Sequence, residues 1–341
     1  AVMVAHVNAP DFQEHAENPA TLSKFWIQDI LKTKLGFDGI VITDAMRMGG
    51  IVKNYSDKYA LFATINAGSD IIIQNMDLKR SIDYVEKAVL SGIISEDRIN
   101  TSALKVLKMK EKLGLHNNRM ISMKDTYTQV GRQKNFKLAA EIAQRSITLV
   151  VDKNNLLPLQ PEVDEVLYIV DLYDGANNHS ESNLTKQLKS AGRKVKSFQI
   201  DKSDSSVVAD YILDQIPKDG LVLLNAFANP VEHKDEIFLP KVEAIFINNL
   251  IKKSNRMVVT SFGSPYLIQD FKDVPVYICA YKGSELLQKA VGNALIGNSN
   301  ISGILPVTIP GVAKVGDGIK VIRKKWPKRN SNWKPGKELK R

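Results

Sequence analysis

The sequence is poor in cysteine, in long apolar runs and in glycine-rich phosphate loops, and each shortage removes a class of function. Its 341 residues hold one cysteine, Cys279. A lone thiol excludes an internal disulfide and disfavours a thiolate zinc site. Cys279 lies in an apolar, strand-like run, which reads as a buried structural thiol. No apolar stretch approaches the roughly 20 residues that a membrane-spanning helix needs, so no membrane partner is expected. No G-x-G-x-x-G fingerprint and no phosphate-binding loop follows a strand in the second half of the chain, and no repeat of fixed period is present. No secretory signal pattern opens the sequence. It starts in a strand-like run, Ala1-Val2-Met3-Val4-Ala5-His6-Val7, without an initiator methionine. That reads as a cut end, and it leaves the compartment open.

What is present is ordinary globular composition, 44% hydrophobic and 25% charged, in a chain long enough for two domains. The net charge of +10 is local. Residues 320–341 hold ten Lys or Arg against one acid, Glu338, which leaves about +1 for the other 319 residues. A nearly neutral folded part argues against a nucleic-acid partner. The tail, with Pro327, Pro335, Trp326 and Trp333, has the composition of a flexible end or a linker.

Hydrophobic periodicity divides the chain. Residues 1–113 read as βαβαβα: a strand ending at His6, a helix over 22–34 with Thr21 as N-cap and Gly36 as stop, and a strand through Ile40, Val41 and Ile42. A helix begun by Ser56 or Asp57 and stopped by Gly68 follows, then a buried strand over 70–74. Helices capped by Asp77 and by Ser95 complete this part. Three strands that all read as central are too few for a closed sheet, so they belong to a larger parallel sheet or barrel. Residues 114–133 are polar and read as a linker. A helix over 135–145 and a strand over 146–151 open the second domain. Strands at 166–170, 194–200, 220–224, 256–261 and 274–279 then alternate with helices at 183–191, 207–216, 239–252 and 284–296. That is a doubly wound α/β layer.

The stretch Gly36-Phe37-Asp38-Gly39-Ile40-Val41-Ile42-Thr43-Asp44-Ala45-Met46 carries the chemical signal. A glycine turn feeds an apolar strand that ends in an acid. In parallel α/β folds the C-terminal strand ends bear the chemistry, so Asp44 is a candidate nucleophile, general base or ligand. Read locally, capping a helix or anchoring a turn is the plainer role.

The flanking residues narrow the choice. Ala5-His6-Val7, Pro19-Ala20-Thr21-Leu22-Ser23, Leu35-Gly36-Phe37-Asp38-Gly39, Thr43-Asp44, Met48 and Ala67-Gly68-Ser69-Asp70-Ile71 occur in this order. Together they resemble the later barrel strands of glycoside hydrolase family 3, in its β-N-acetylglucosaminidase branch. Ala143-Gln144-Arg145-Ser146-Ile147-Thr148-Leu149-Val150 with Leu156-Leu157-Pro158-Leu159 is similar to the start of that family's second domain. Ile301-Ser302-Gly303-Ile304-Leu305-Pro306-Val307-Thr308 with Gly316-Asp317-Gly318 is similar to that domain's closing stretch.

The resemblance implies an α/β chain with the C-terminal part of a (β/α)8 TIM barrel in 1–113 (strands six to eight), a linker over 114–133, and an α/β sandwich with a mostly parallel sheet over 134–319. The basic tail would follow over 320–341. It implies a retaining hydrolase of terminal β-linked N-acetylglucosamine, acting on peptidoglycan-derived glycans, with Asp44 as nucleophile and no metal or cofactor. His6, Arg47 and Met48 become candidate substrate contacts, against plain readings as a structural strand-end histidine, a solvated arginine and a packing methionine. Glu14 and His15 read as a solvated loop.

The sequence departs from the branch in one respect. The histidine–aspartate acid/base loop and the preceding K-H-F-P-G-H-G signature have no counterpart here. The expectation is therefore a chain that, lacking its acid/base and most of its barrel, does not hydrolyse glycosides by itself at the parental rate. In the family's β-glucosidase branch a glutamate from the second domain serves as acid/base, and Glu232 or Glu236 would be its counterpart, with His233 between them a surface residue. That branch usually has Asp-Trp where this chain has Asp44-Ala45. A non-catalytic glycan-binding module, and a nucleic-acid-associated protein acting through the basic tail, are the remaining alternatives.

Overall fold

The apolar run at residues 40–42 folds into the middle of a parallel sheet. The structure, a computed structural model, describes residues 1–12, 18–74, 77–159, 165–174, 180–201, 204–228, 239 and 241–322. The chain divides into two units, Ala1–Thr126 and Tyr127–Arg341.

In the first unit, strands β1 (Val2–Val4), β2 (Val41–Ala45) and β3 (Ile71–Ile73) form a parallel sheet in the order β1-β2-β3. Its helices are α1 (Gly49–Val52), α2 (Asp57–Ala67), α3 (Leu78–Leu90) and α4 (Glu96–Lys112). Ser56, Asp77 and Ser95 cap α2, α3 and α4 by accepting the amides of Tyr59, Arg80 and Arg98. Gly68, at φ +117°, ends α2 in the left-handed conformation that glycine adopts without strain.

Three expectations need correction. The helix over 22–34 is two pieces, a 3₁₀ turn at Ala20–Leu22 and a π-wound helix at Phe25–Lys34, where the Leu35 amide reaches back to Ile30 O. Thr21 caps neither piece; it is fully buried and bonded elsewhere. The strand over 70–74 is shorter and only half-buried, and Met3 on β1 is 56% exposed, because β1 and β3 each pair with β2 alone. The segment 114–133 is not wholly irregular, since it contains helix α5 (Met123–Gln129).

Asp70 fastens the N-terminal end of this sheet. Its carboxylate accepts the Val41 amide at 3.0 Å and the Ser102 hydroxyl at 2.5 Å, with Arg98 at 3.5 Å and Lys105 at 3.6 Å. Burial works against the charge, but the Ser102 and Val41 hydrogen bonds and the Lys105 and Lys32 ammoniums prevail, and the carboxyl is held below its ordinary range. The anchor therefore lies at one end of β2 and Asp44 at the other.

The second unit begins with helix α6 (Gln133–Ser146) and strand β4 (Thr148–Asp152). Strands β5 (Val166–Tyr173), β6 (Lys194–Asp201), β7 (Leu221–Phe227), β8 (Met257–Ser261) and β9 (Val276–Cys279) complete a six-stranded sheet in the order β4-β9-β8-β7-β5-β6. All neighbours are parallel except β4, which runs antiparallel to β9 at the edge. Helices α8 (Ser206–Gln215) and α9 (Lys241–Lys253) cover one face; α6, α7 (Asn183–Ser190) and α10 (Glu285–Leu295) cover the other. Every residue of β7 is buried, as a strand with both faces covered must be. The chain thus has the expected α/β fold with a mostly parallel sheet. No helix of the described residues is long and apolar enough to cross a membrane.

Candidate active site

The end of β2 is built by a register break. Ile42 pairs with Ile71, but Ala45 pairs with Ile73, so β2 spends three steps where β3 spends two. The extra residue is a β-bulge, a device that bends a strand and re-aims a side chain, often beside a reactive site. The bulge falls on Thr43-Asp44. It frees the Ile73 amide from the ladder, and the fully buried Thr43 hydroxyl accepts that amide at 3.0 Å. Asp44 is left half-buried at the C-terminal edge of the sheet, with Oδ1 accepting the amide of Ala45 at 2.7 Å. Among the described residues Oδ2 is uncommitted.

Ala45 is the junction of the site. Its carbonyl accepts the Met48 amide at 3.0 Å, closing the turn into α1, and faces His6 Nε2 at 2.9 Å. His6 stands just past β1, where the β1–β2 ladder has stopped at Val4 and Thr43. Its Nδ1 lies 2.8 Å from Thr21 Oγ1, and Thr21 Oγ1 is also 2.9 Å from Ala5 O and 3.2 Å from Val4 O. The Thr21 carbonyl in turn accepts the Thr64 hydroxyl at 2.9 Å. Gly50 of α1 lies against His6: a Cβ there would stand 3.2 Å from His6 Cβ.

Asp44, His6, Arg47 and Met48 are thus brought to one strand end, but in different ways. His6 spends both ring nitrogens on protein atoms. Arg47 is exposed in the turn, and Met48 is half-buried and precedes α1 through its backbone. The Glu14, His15, Glu232, His233 and Glu236 readings, and most of the basic tail, lie outside the described residues. Sequence reasoning missed Thr43 and Thr21 as parts of the site. The Thr43-Asp44 doublet at a strand end was the available signal for the first; nothing local marks the second. Among the described residues no three His, Cys, Asp or Glu side chains are grouped to hold a metal ion.

An acid on a bulged parallel strand end, with a doubly wound second unit behind it in the chain, defines an α/β protein of the architecture found in glycoside hydrolase family 3 structures. Comparison with known proteins supports the resemblance. Residues 1–109 match the model of the glycosyl hydrolase family 3 N-terminal domain, and the resemblance to family 3 stands. The chain is 24% identical over 322 residues to a β-N-acetylglucosaminidase/β-glucosidase of Cellulomonas fimi, covering 90% of this chain and 57% of that protein. Among solved structures it is similar to a β-glucoside phosphorylase at a TM-score of 0.74, with 24% identity over 90% of this chain and 57% of the other. It is also similar to a family 3 β-N-acetylglucosaminidase from Paenibacillus sp. str. FPU-7, at a TM-score of 0.70 and 24% identity over 86% and 55% of the two chains. The chain spans 57%, 31% and 40% of the length of three curated relatives it matches.

Proposed function

We propose that this chain carries the nucleophile of a retaining glycosidase site for terminal β-linked N-acetylglucosamine, with peptidoglycan-derived glycans as the substrate class. The observation that supports this best is Asp44 itself, a half-buried carboxylate re-aimed by a bulge at a parallel strand end, with one oxygen held by Ala45 N–H and the other uncommitted among the described residues. In the reaction Asp44 attacks the anomeric carbon, the glycosidic bond breaks, and a glycosyl ester forms; water then cleaves the ester and the carboxylate is restored. The departing alkoxide of an ordinary glycoside needs a proton, and the histidine–aspartate loop that would give it is not among these 341 residues. A leaving group that needs no proton removes that requirement.

The test is therefore a burst experiment with 2,4-dinitrophenyl N-acetyl-β-glucosaminide. The expected result is release of about one equivalent of dinitrophenolate per chain followed by slow turnover, with no burst from Asp44→Asn and no cleavage of an unactivated glycoside. A full burst from Asp44→Asn would sink the assignment. The β-glucoside reading draws support from the double name of the Cellulomonas fimi relative. A burst with the dinitrophenyl β-glucoside and none with the N-acetylglucosaminide would select it.

A further inference from the structure

We infer that His6 is a positioning residue which clamps the Asp44 bulge through the Ala45 carbonyl, and is not a sugar ligand. This rests on Asp44 as nucleophile. Three observations carry it. First, the bulge takes Thr43 and Asp44 out of the regular β2–β3 ladder, so the peptide groups beside it must find other partners or stay loose. The Ile73 amide on the β3 side is satisfied by Thr43 Oγ1, and the Ala45 carbonyl by Met48 N–H and by His6 Nε2. Second, the ring has no nitrogen left for a substrate. A carbonyl oxygen only accepts, so Nε2 must carry a proton to bond Ala45. With a neutral ring the Thr21 hydroxyl donates to Nδ1. With a charged ring Nδ1–H donates to Thr21, whose hydroxyl then turns to Ala5 O, 2.9 Å away. The Ala45 bond survives in both cases. Third, the ring is fixed from behind. Thr21 is fully buried, its carbonyl is held by Thr64, and Gly50 of α1 packs on the His6 Cβ.

The consequence is a chain of constraint from buried groups to the carboxylate. Thr21 orients His6, His6 holds the Ala45 carbonyl, and the Ala45 residue, held at that end, presents its N–H to Asp44 Oδ1. A carboxylate that must attack in line gains from such pre-set orientation.

Glutamine and asparagine separate the two halves of the ring. The amide nitrogen of Gln falls near the place of Nε2 and can donate to Ala45 O; that of Asn falls near Nδ1 and cannot reach it. The experiment compares the full chain with His6→Gln, His6→Asn and His6→Ala by two readouts. One is hydrogen exchange of the Ala45 and Met48 amides. The other is the rate of covalent labelling by 5-fluoro-N-acetyl-β-glucosaminyl fluoride, resolved into a binding constant and a limiting rate constant. His6→Ala and His6→Asn are expected to speed exchange at Ala45 and Met48 about tenfold, with remote strand amides unmoved. They are expected to lower the limiting labelling rate about tenfold at unchanged binding constant, and His6→Gln restores both readouts. If His6→Ala does not fold, the His6→Gln and His6→Asn pair still decides. Equal behaviour of Gln and Asn, or a loss confined to the binding constant, overturns the clamp. If the exchange pattern holds while the wild-type chain is not labelled at all, the clamp stands and the glycosidase reading fails.

Discussion

A carboxylate at residue 44 and another at residue 171 show how differently one group type is treated by its surroundings. Asp44 sits at a strand end with an oxygen to spare, which the sequence could announce because a strand-length apolar run ends in an acid. Asp171 sits inside the second unit, 2% exposed on β5, where it accepts Asn225 Nδ2 at 2.7 Å and the Ser182 hydroxyl and feels the Glu181 charge. Burial outweighs those hydrogen bonds and pushes its carboxyl up to about 6. A raised folded value means that the neutral form is the comfortable one. Its contribution to stability is full below the unfolded value near pH 3.8 and is lost as pH rises through about 6. Asp171→Asn keeps an acceptor for Asn225 and cannot ionise. The variant is therefore expected to gain on the wild type between pH 4 and pH 6 in chemical denaturation, with the gap constant above; a gap that is flat across this range would contradict the burial argument. None of this was legible in the sequence, where Asp171 is one acid in an apolar run. The same blindness hid Thr21: Pro19-Ala20-Thr21 reads as a helix start, and its true work is done by contacts with residues 4, 5, 6 and 64.

At the scale of elements, capping residues and glycine stops were legible because they act on their own chain. Ser56, Asp77, Ser95 and Gly68 mark boundaries where the sequence places them. The bulge in β2 was not, since it exists only in the mismatch between two strands. Nor was the anchor that joins α4 to the start of β2, which needs Asp70, just before β3, to meet Arg98, Ser102 and Lys105 of α4. Here the linkage runs opposite to that of Asp171. The Asp70 carboxyl is held low, so its contribution is complete above the unfolded value of about 4 and fades as pH falls through the lowered folded value. Asp70→Asn should cost the first unit on the order of 2 kcal/mol at neutral pH, the worth of charge-assisted bonds in a half-buried setting. The melting gap between variant and wild type should narrow below about pH 4. An equal gap at pH 3 and pH 7 would show that the site acts by packing alone.

For the whole molecule, the alternation of apolar strands and helices gave the fold class, because a doubly wound layer writes its period into every segment. The β5-to-β9 layer follows that pattern, with β4 added antiparallel at its edge. The first unit shows why full burial of its strands was over-read. Among the described residues its sheet has three strands with β1 and β3 at the edges, and Leu78 and Leu90 of α3 are 74% and 82% exposed. The central claim is that Asp44 is the nucleophile. The most direct measurement is peptide mapping of the chain after treatment with 5-fluoro-N-acetyl-β-glucosaminyl fluoride, whose departing fluoride needs no acid. The account predicts one glycosyl ester per chain, on the peptide bearing Asp44, and none in Asp44→Asn. An adduct on a different carboxylate, or one that persists in Asp44→Asn, would contradict it.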